Sequence, residues 1–129
     1  MATIRKFEEL EIWQLARILS REIYKTTKYP EFSRDFKLID QIRGSSGSVM
    51  DNIAEGFGRG GNKEFSNFLT FTIGSANETQ SQLYRAMDQE YITETEFNQL
   101  YEKADEIIRR SGKLIQYLKS SDHRGIKFK

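Results

Sequence analysis

Four stretches of this chain repeat apolar residues every three or four positions, and that period belongs to a helix with one buried face. In the last stretch Phe97, Tyr101, Ala104, Ile108, Ser111, Ile115 and Leu118 form the stripe, widened by Leu100, Ile107 and Leu114. The third carries Phe65, Leu69, Thr72, Ala76, Thr79, Leu83 and Ala86, and the second Ile39, Ile42, Ser46, Val49 and Ile53. The first is broader: Phe7, Leu10, Ile12, Trp13, Ala16, Leu19 and Ile23. Pro30 is the single proline in 129 residues, so little interrupts these segments. Near-heptad spacing favours shallow helix crossings, and short connections favour neighbours running in opposite directions. The predicted fold is all-α, an antiparallel up-down-up-down four-helix bundle. Residues 1–119 are expected to form one domain, and 120–129 a basic, mobile tail without a stripe.

The boundaries carry local signals. Tyr29-Pro30-Glu31-Phe32 ends the first helix, because the residue before proline avoids the helical region. Ser33 is a candidate N-cap for the second, with Asp35 in its first turn. Gly56-Phe57-Gly58-Arg59-Gly60-Gly61 reads as a turn, with Asn62 capping the third helix. Thr93-Glu94-Thr95-Glu96 is a capping box for the fourth. Gly44 and Gly47 fall inside the second helix and Gly74 inside the third. Each interior glycine costs a helix about 1 kcal/mol against alanine. Another backbone is therefore expected to come close there, either a neighbouring helix of the bundle or a neighbouring subunit. Phe68, Phe71 and Tyr84, which lie outside the main stripe, favour a subunit.

Several chemistries fall away on residue types alone. Cysteine is absent, which removes disulfides, thiolate metal sites and thiol nucleophiles. His123 is the only histidine and lies in the tail, so neither a pair of Glu-x-x-His metal motifs nor a Ser-His-Asp triad can be built in the bundle. The glycine-rich turn matches Gly-x-Gly-x-x-Gly by letter. A helix precedes it where the dinucleotide fingerprint needs a strand, which leaves a tight turn, or a phosphate held by helix-terminal amides with Arg59. Asp51, Glu55, Glu64 and Glu78 are candidate buried acids, read as structural partners of amides or of Arg43 and Arg59. No catalytic residue, metal or cofactor is expected. No apolar run approaches the ~20 residues of a membrane span, and no signal peptide is visible, so the expected location is the cytoplasm.

Net charge is only +1, from 20 basic and 19 acidic residues, so any electrostatic role must come from local clustering. Arg109, Arg110, Lys113, Lys119, Arg124, Lys127 and Lys129 face a single acid, Asp122, in the last stretch. Residues 62–91 are by contrast acid-rich. Such a gradient suits a polyanion or complementary subunit packing. The absence of interleaved aromatics and of an RNA-recognition signature argues against sequence-specific readout.

Several runs resemble a known bacterial family, the four-helix bundles encoded by intervening sequences in 23S ribosomal RNA genes. They are Phe7-Glu8-Glu9-Leu10-Glu11-Ile12-Trp13-Gln14-Leu15-Ala16, Gln41-Ile42-Arg43, Ser48-Val49-Met50-Asp51-Asn52-Ile53-Ala54-Glu55-Gly56 with Gly58-Arg59, and Glu64-Phe65, Phe68-Leu69, Gly74-Ser75 and Glu78. The likeness spans about Phe7 to Leu118. Gly44-Ser45-Ser46-Gly47 departs from it, since the family more often has an Arg- and Ala-rich stretch there. The chain also resembles the accessory variability-determinant proteins of diversity-generating retroelements, which work with a reverse transcriptase and nucleic acid. The resemblance implies a bundle assembled as a homopentameric ring, with Asn52, Glu55, Gly56, Gly58, Arg59, Gly74 and Glu78 as its structural motif. It gives no enzymatic activity and reaches nucleic acid only by analogy. The expected function is binding of RNA or DNA backbone, or of a nucleic-acid-processing partner, through Arg109, Arg110, Lys113 and Lys119, helped by Arg124, Lys127 and Lys129, with Arg59 as an outlying candidate. The alternative is a protein-interaction scaffold that binds no nucleic acid.

Overall fold

The computed structural model describes residues 3–122, with side chains to residue 121. Four helices carry the fold: α1 Glu11–Thr26, α2 Phe36–Gly58, α3 Asn62–Asp88 and α4 Glu94–Asp122. Two 3₁₀ turns, Phe7–Glu9 and Phe32–Arg34, precede α1 and α2. No strand occurs among the described residues. Arg124, Lys127, Lys129 and His123 lie outside the described residues, whereas Ser120–Asp122, expected in the tail, continue α4.

The apolar stripes meet in one core, as a helix with a single apolar face requires. All seven stripe residues of α3, from Phe65 to Ala86, are buried. On α2 the buried line is Leu38, Ile42, Ser45, Ser46, Val49, Ile53 and Gly56, and Ile39 is only half-buried. On α4 Phe97, Ala104, Ser111 and Leu118 of the expected stripe are buried, and its other line shifts to the widening residues Leu100 and Ile107. Tyr101, Ile108 and Ile115 are half-buried at the edge. A helix that turns 100° per residue hides whichever line faces its principal partner, and for α4 that partner is α3. Gln80 on α3 reaches the Tyr101 carbonyl at 3.3 Å.

Along the α2–α3 seam, Arg85 Nη1 donates to Gln41 at 2.8 Å and Ser45 Oγ lies 2.8 Å from Thr79 Oγ1. Thr72 Oγ1 donates to the Val49 carbonyl at 3.2 Å. At Gly56 the helices come closest: a Cβ built there would sit 2.5 Å from Phe68 Cβ and 3.2 Å from a Phe65 ring carbon. Gly56 is thus a helical contact residue. The turn itself is only Arg59-Gly60-Gly61, where Gly60 takes the left-handed φ of +83°.

Two expected caps move. Asp35, not Ser33, caps α2: its Oδ1 accepts from the Leu38 amide at 3.1 Å and its Oδ2 from the Tyr91 hydroxyl at 2.9 Å. Ser33 belongs to the 3₁₀ turn that buries Phe32 against Tyr91, with ring centroids 5.0 Å apart. That tertiary anchor delays the start of the helix. At α3 the cap is Gly61, and Asn62 is the first helical residue, buried. The capping box of α4 forms as expected. The Thr93 amide donates to Glu96 Oε1 at 2.8 Å, and the Glu96 amide to Thr93 Oγ1 at 3.1 Å. Tyr29 donates to Glu96 Oε2 at 2.6 Å, and these bonds hold the Glu96 carboxyl below its ordinary pKa, the Thr93 amide foremost.

Candidate nucleic-acid interface

The basic residues of α4 fall into two groups. Arg109 and Arg110 are matched to acids one turn earlier. Arg109 donates to Asp105 and, at 3.0 Å, to Glu102, and the Glu102 bond leads in holding its guanidinium above the ordinary pKa. Arg110 donates to Glu106 at 2.9 Å and reaches Glu11 of α1 at 2.7 Å. An acid four residues before a cation is the spacing that supports a helix. Lys113 and Lys119, further along, are exposed and have no ion-pair partner among the described residues. Lys119 and Lys63 of α3 line a cavity of about 630 Å³, together with Glu64, Ser66, Asn67, Thr70 and Leu118.

Arg59 lies at the α2–α3 turn, three residues before Asn62, which lines the same cavity as Lys119. Its Nη2 bonds Glu55 at 2.9 Å and its guanidinium covers the Phe68 ring at 5.0 Å. Glu55 and Arg59 thus close the end of α2 over the Gly56 contact. Asn52 donates to the carbonyl of Ser48 at 2.9 Å within its own helix. Gly58 and Gly74 have open space where a side chain would begin. Glu78 is exposed beside a shallow groove that includes Asp40, Gly44 and Ser48.

The acids expected to be buried, Asp51, Glu55, Glu64 and Glu78, are all exposed. Helix termini and seams are satisfied instead by hydroxyls, amides and Asp35, so no carboxylate is needed inside. Arg43 meets Thr27 and Tyr24 and not an acid. A Cβ built at Gly44, Gly47 or Gly74 would meet nothing within 4 Å, so no close helix contact within the described residues requires a glycine there. Tyr84, though 49% exposed, packs on Phe97 and Tyr101 at 4.7 and 6.0 Å. Phe71, 50% exposed, touches Phe68 edge-on at 5.6 Å.

A second row of cations escapes the sequence reading. Arg17, Arg21, Lys25 and Lys28 follow one another at spacings of 4, 4 and 3 on the outer side of α1 and its exit, all exposed. Only Lys25 has an acid, Glu22 at 3.3 Å. Like charges at this spacing cost a helix about 0.2–0.5 kcal/mol per pair. Tyr24 stands beside the row, 43% exposed, with the Arg43 guanidinium of α2 stacked 4.3 Å from its ring centre. The repeated spacing was readable in the sequence; the arrival of Arg43 from another helix was not.

Four helices around one core, charged outer faces and, among the described residues, no group of three or more metal-ligating side chains define a plain helical-bundle protein. Its lineage is more specific: residues 8–113 match the 23S rRNA-intervening sequence protein family, and the chain belongs to that family. A crystal structure of a protein of unknown function from the S23 ribosomal protein family of Bacteroides thetaiotaomicron is similar in fold, with a TM-score of 0.75. The two share 24% identity over 81% of this chain and 97% of that one. No curated protein matches in sequence. No helix among the described residues is long and apolar enough to cross a membrane.

Proposed function

We propose that this protein is a non-enzymatic, oligomeric helical bundle that binds nucleic-acid backbone, or a partner that processes nucleic acid, through a basic surface. One observation carries the reading. Beyond the acid belt of Glu102, Asp105 and Glu106, Lys113 and Lys119 form no ion pair among the described residues, and Lys119 shares a cavity with Lys63, which Glu64 also lines without pairing to either lysine. Cations without acidic partners can release counterions from phosphates, and this gives weak sequence preference with steep salt dependence. Arg109 and Arg110, already tied to acids, contribute less per charge than the lysines. Arg124, Lys127 and Lys129 extend the basic run in sequence.

The helices are read as antiparallel, because residue numbers rise on α2 while they fall on α3 through the pairs Gln41–Arg85, Ser45–Thr79 and Val49–Thr72. A ring of copies, pentameric by resemblance, would repeat the basic surface and multiply its affinity. The test is a titration of labelled RNA and duplex DNA at low and raised salt, with Lys113→Glu/Lys119→Glu beside the parent. Loss of binding in the variant supports the site. No binding by the parent at low salt rejects the reading.

A protein-interaction scaffold is the second reading. Gly44, Gly47 and Gly74 are open and Phe71 is half-exposed, as a face awaiting a subunit or partner would be. It requires a purified sample free of nucleic acid by its absorbance ratio, with protein copurifying.

A further inference from the structure

We infer that the outer row of α1, Arg17, Arg21, Tyr24 and Lys28, with Arg43 of α2 behind the tyrosine, is a track for single-stranded nucleic acid, distinct from the α4 lysines. It rests on the nucleic-acid reading above and locates a second part of it.

The contrast with α4 is the first support. On α4 the adjacent arginines are each answered by an acid one turn away. On α1, Arg17, Arg21 and Lys28 have no ion-pair partner among the described residues; Glu22 answers only Lys25 of the row, Glu11 is drawn to Arg110, and Arg17 lies over the Trp13 ring at 5.9 Å. Repeated like charges weaken a helix. A row with three of its four cations left without an acid is complementary to a polyanion laid along it.

The aromatic is the second support. Arg43 donates from Nε and Nη2 to Thr27 Oγ1 at 3.0 and 2.8 Å, which fixes its guanidinium 4.3 Å from the centre of the Tyr24 ring. The ring is thereby braced, yet remains 43% exposed. A braced, half-open aromatic among cations is the pairing that holds an unpaired base by stacking while the cations follow its phosphates. A duplex keeps its bases stacked on each other and cannot use the ring. From Arg17 to the end of α1 at Thr26 the helix rises about 13.5 Å, enough for about four stacked nucleotides.

The experiment is fluorescence anisotropy with a labelled oligouridylate and a duplex of equal length, using the full chain. Arg17→Gln/Arg21→Gln keeps good helix formers at exposed positions, and circular dichroism confirms the fold. It is expected to weaken oligouridylate binding about tenfold and to lower the salt slope by about 1.4. Tyr24→Ala is expected to cost about tenfold for the single strand and little for the duplex. Lys37→Gln/Lys103→Gln removes the same charge elsewhere and is expected to stay within about twofold of the parent. If the parent binds but both α1 variants bind equally well, and only Lys113→Glu/Lys119→Glu loses affinity, this track is wrong and the α4 reading stands. If polyglutamate binds the row more tightly than oligouridylate does, and Tyr24→Ala leaves oligouridylate binding unchanged, the partner is an acidic protein and the track is wrong. If the parent binds no nucleic acid, both fall.

Discussion

Replacing Gly56 with alanine tests the closest contact in the bundle. The new Cβ would lie 2.5 Å from Phe68 Cβ and 3.2 Å from Phe65 Cδ1, where carbon atoms prefer about 3.5–4.0 Å. Phe68 Cβ is bonded directly to the α3 backbone, so no rotamer change relieves the overlap and α2 and α3 must separate. Overpacking of this kind costs about 1–3 kcal/mol. Alanine returns about 1 kcal/mol of helix propensity, which leaves a net loss of up to about 2 kcal/mol. For a chain of this size that is a fall of up to roughly 8 °C in melting temperature. The assay is thermal and urea unfolding followed by helical circular dichroism at fixed protein concentration. Gly44→Ala is the internal comparison, because its Cβ would meet nothing within 4 Å; it is expected to gain up to about 1 kcal/mol. A Gly56→Ala protein as stable as Gly44→Ala would refute the assignment of this glycine to a helix contact.

Three further outcomes are expected. If Gly44, Gly47 and Gly74 face another subunit, alanine at Gly44 and Gly74 together will raise helix stability while lowering the assembled mass in sedimentation; an unchanged mass with raised stability places them on a free surface. Ser111 Oγ is buried between helices without a hydrogen-bond partner among the described residues, so Ser111→Ala is expected to stabilise the protein by about 1 kcal/mol in urea unfolding. Glu96 has a depressed carboxyl pKa, so its contribution is full above its unfolded value of about 4.3 and lost as pH falls through the folded one. Urea midpoints measured downward from about pH 6 should therefore fall more steeply in the parent than in Glu96→Gln.

The Thr93–Glu96 box was legible because both partners lie within one turn of chain, and so was the α3 stripe, whose seven residues share one face by period alone. The cap of α2 was not: Asp35 displaced Ser33 because Phe32 stacks on Tyr91, far away in sequence. The candidate site divides the same way. The C-terminal run of cations was plain in the sequence; that Arg109 and Arg110 are answered by Asp105 and Glu106, and by Glu11 across from α1, emerged only in the structure.

Local pattern alone determined that this chain is helical and most of the apolar residues that line its core, because helix period and apolar burial act over a few neighbours. Tertiary structure decided where α2 and α3 touch at Gly56 and which glycines remain open. It also decided which cations keep their charge for a partner and that Arg43 braces Tyr24. Those depend on distances between segments remote in sequence, and a linear pattern carries no measure of such distances.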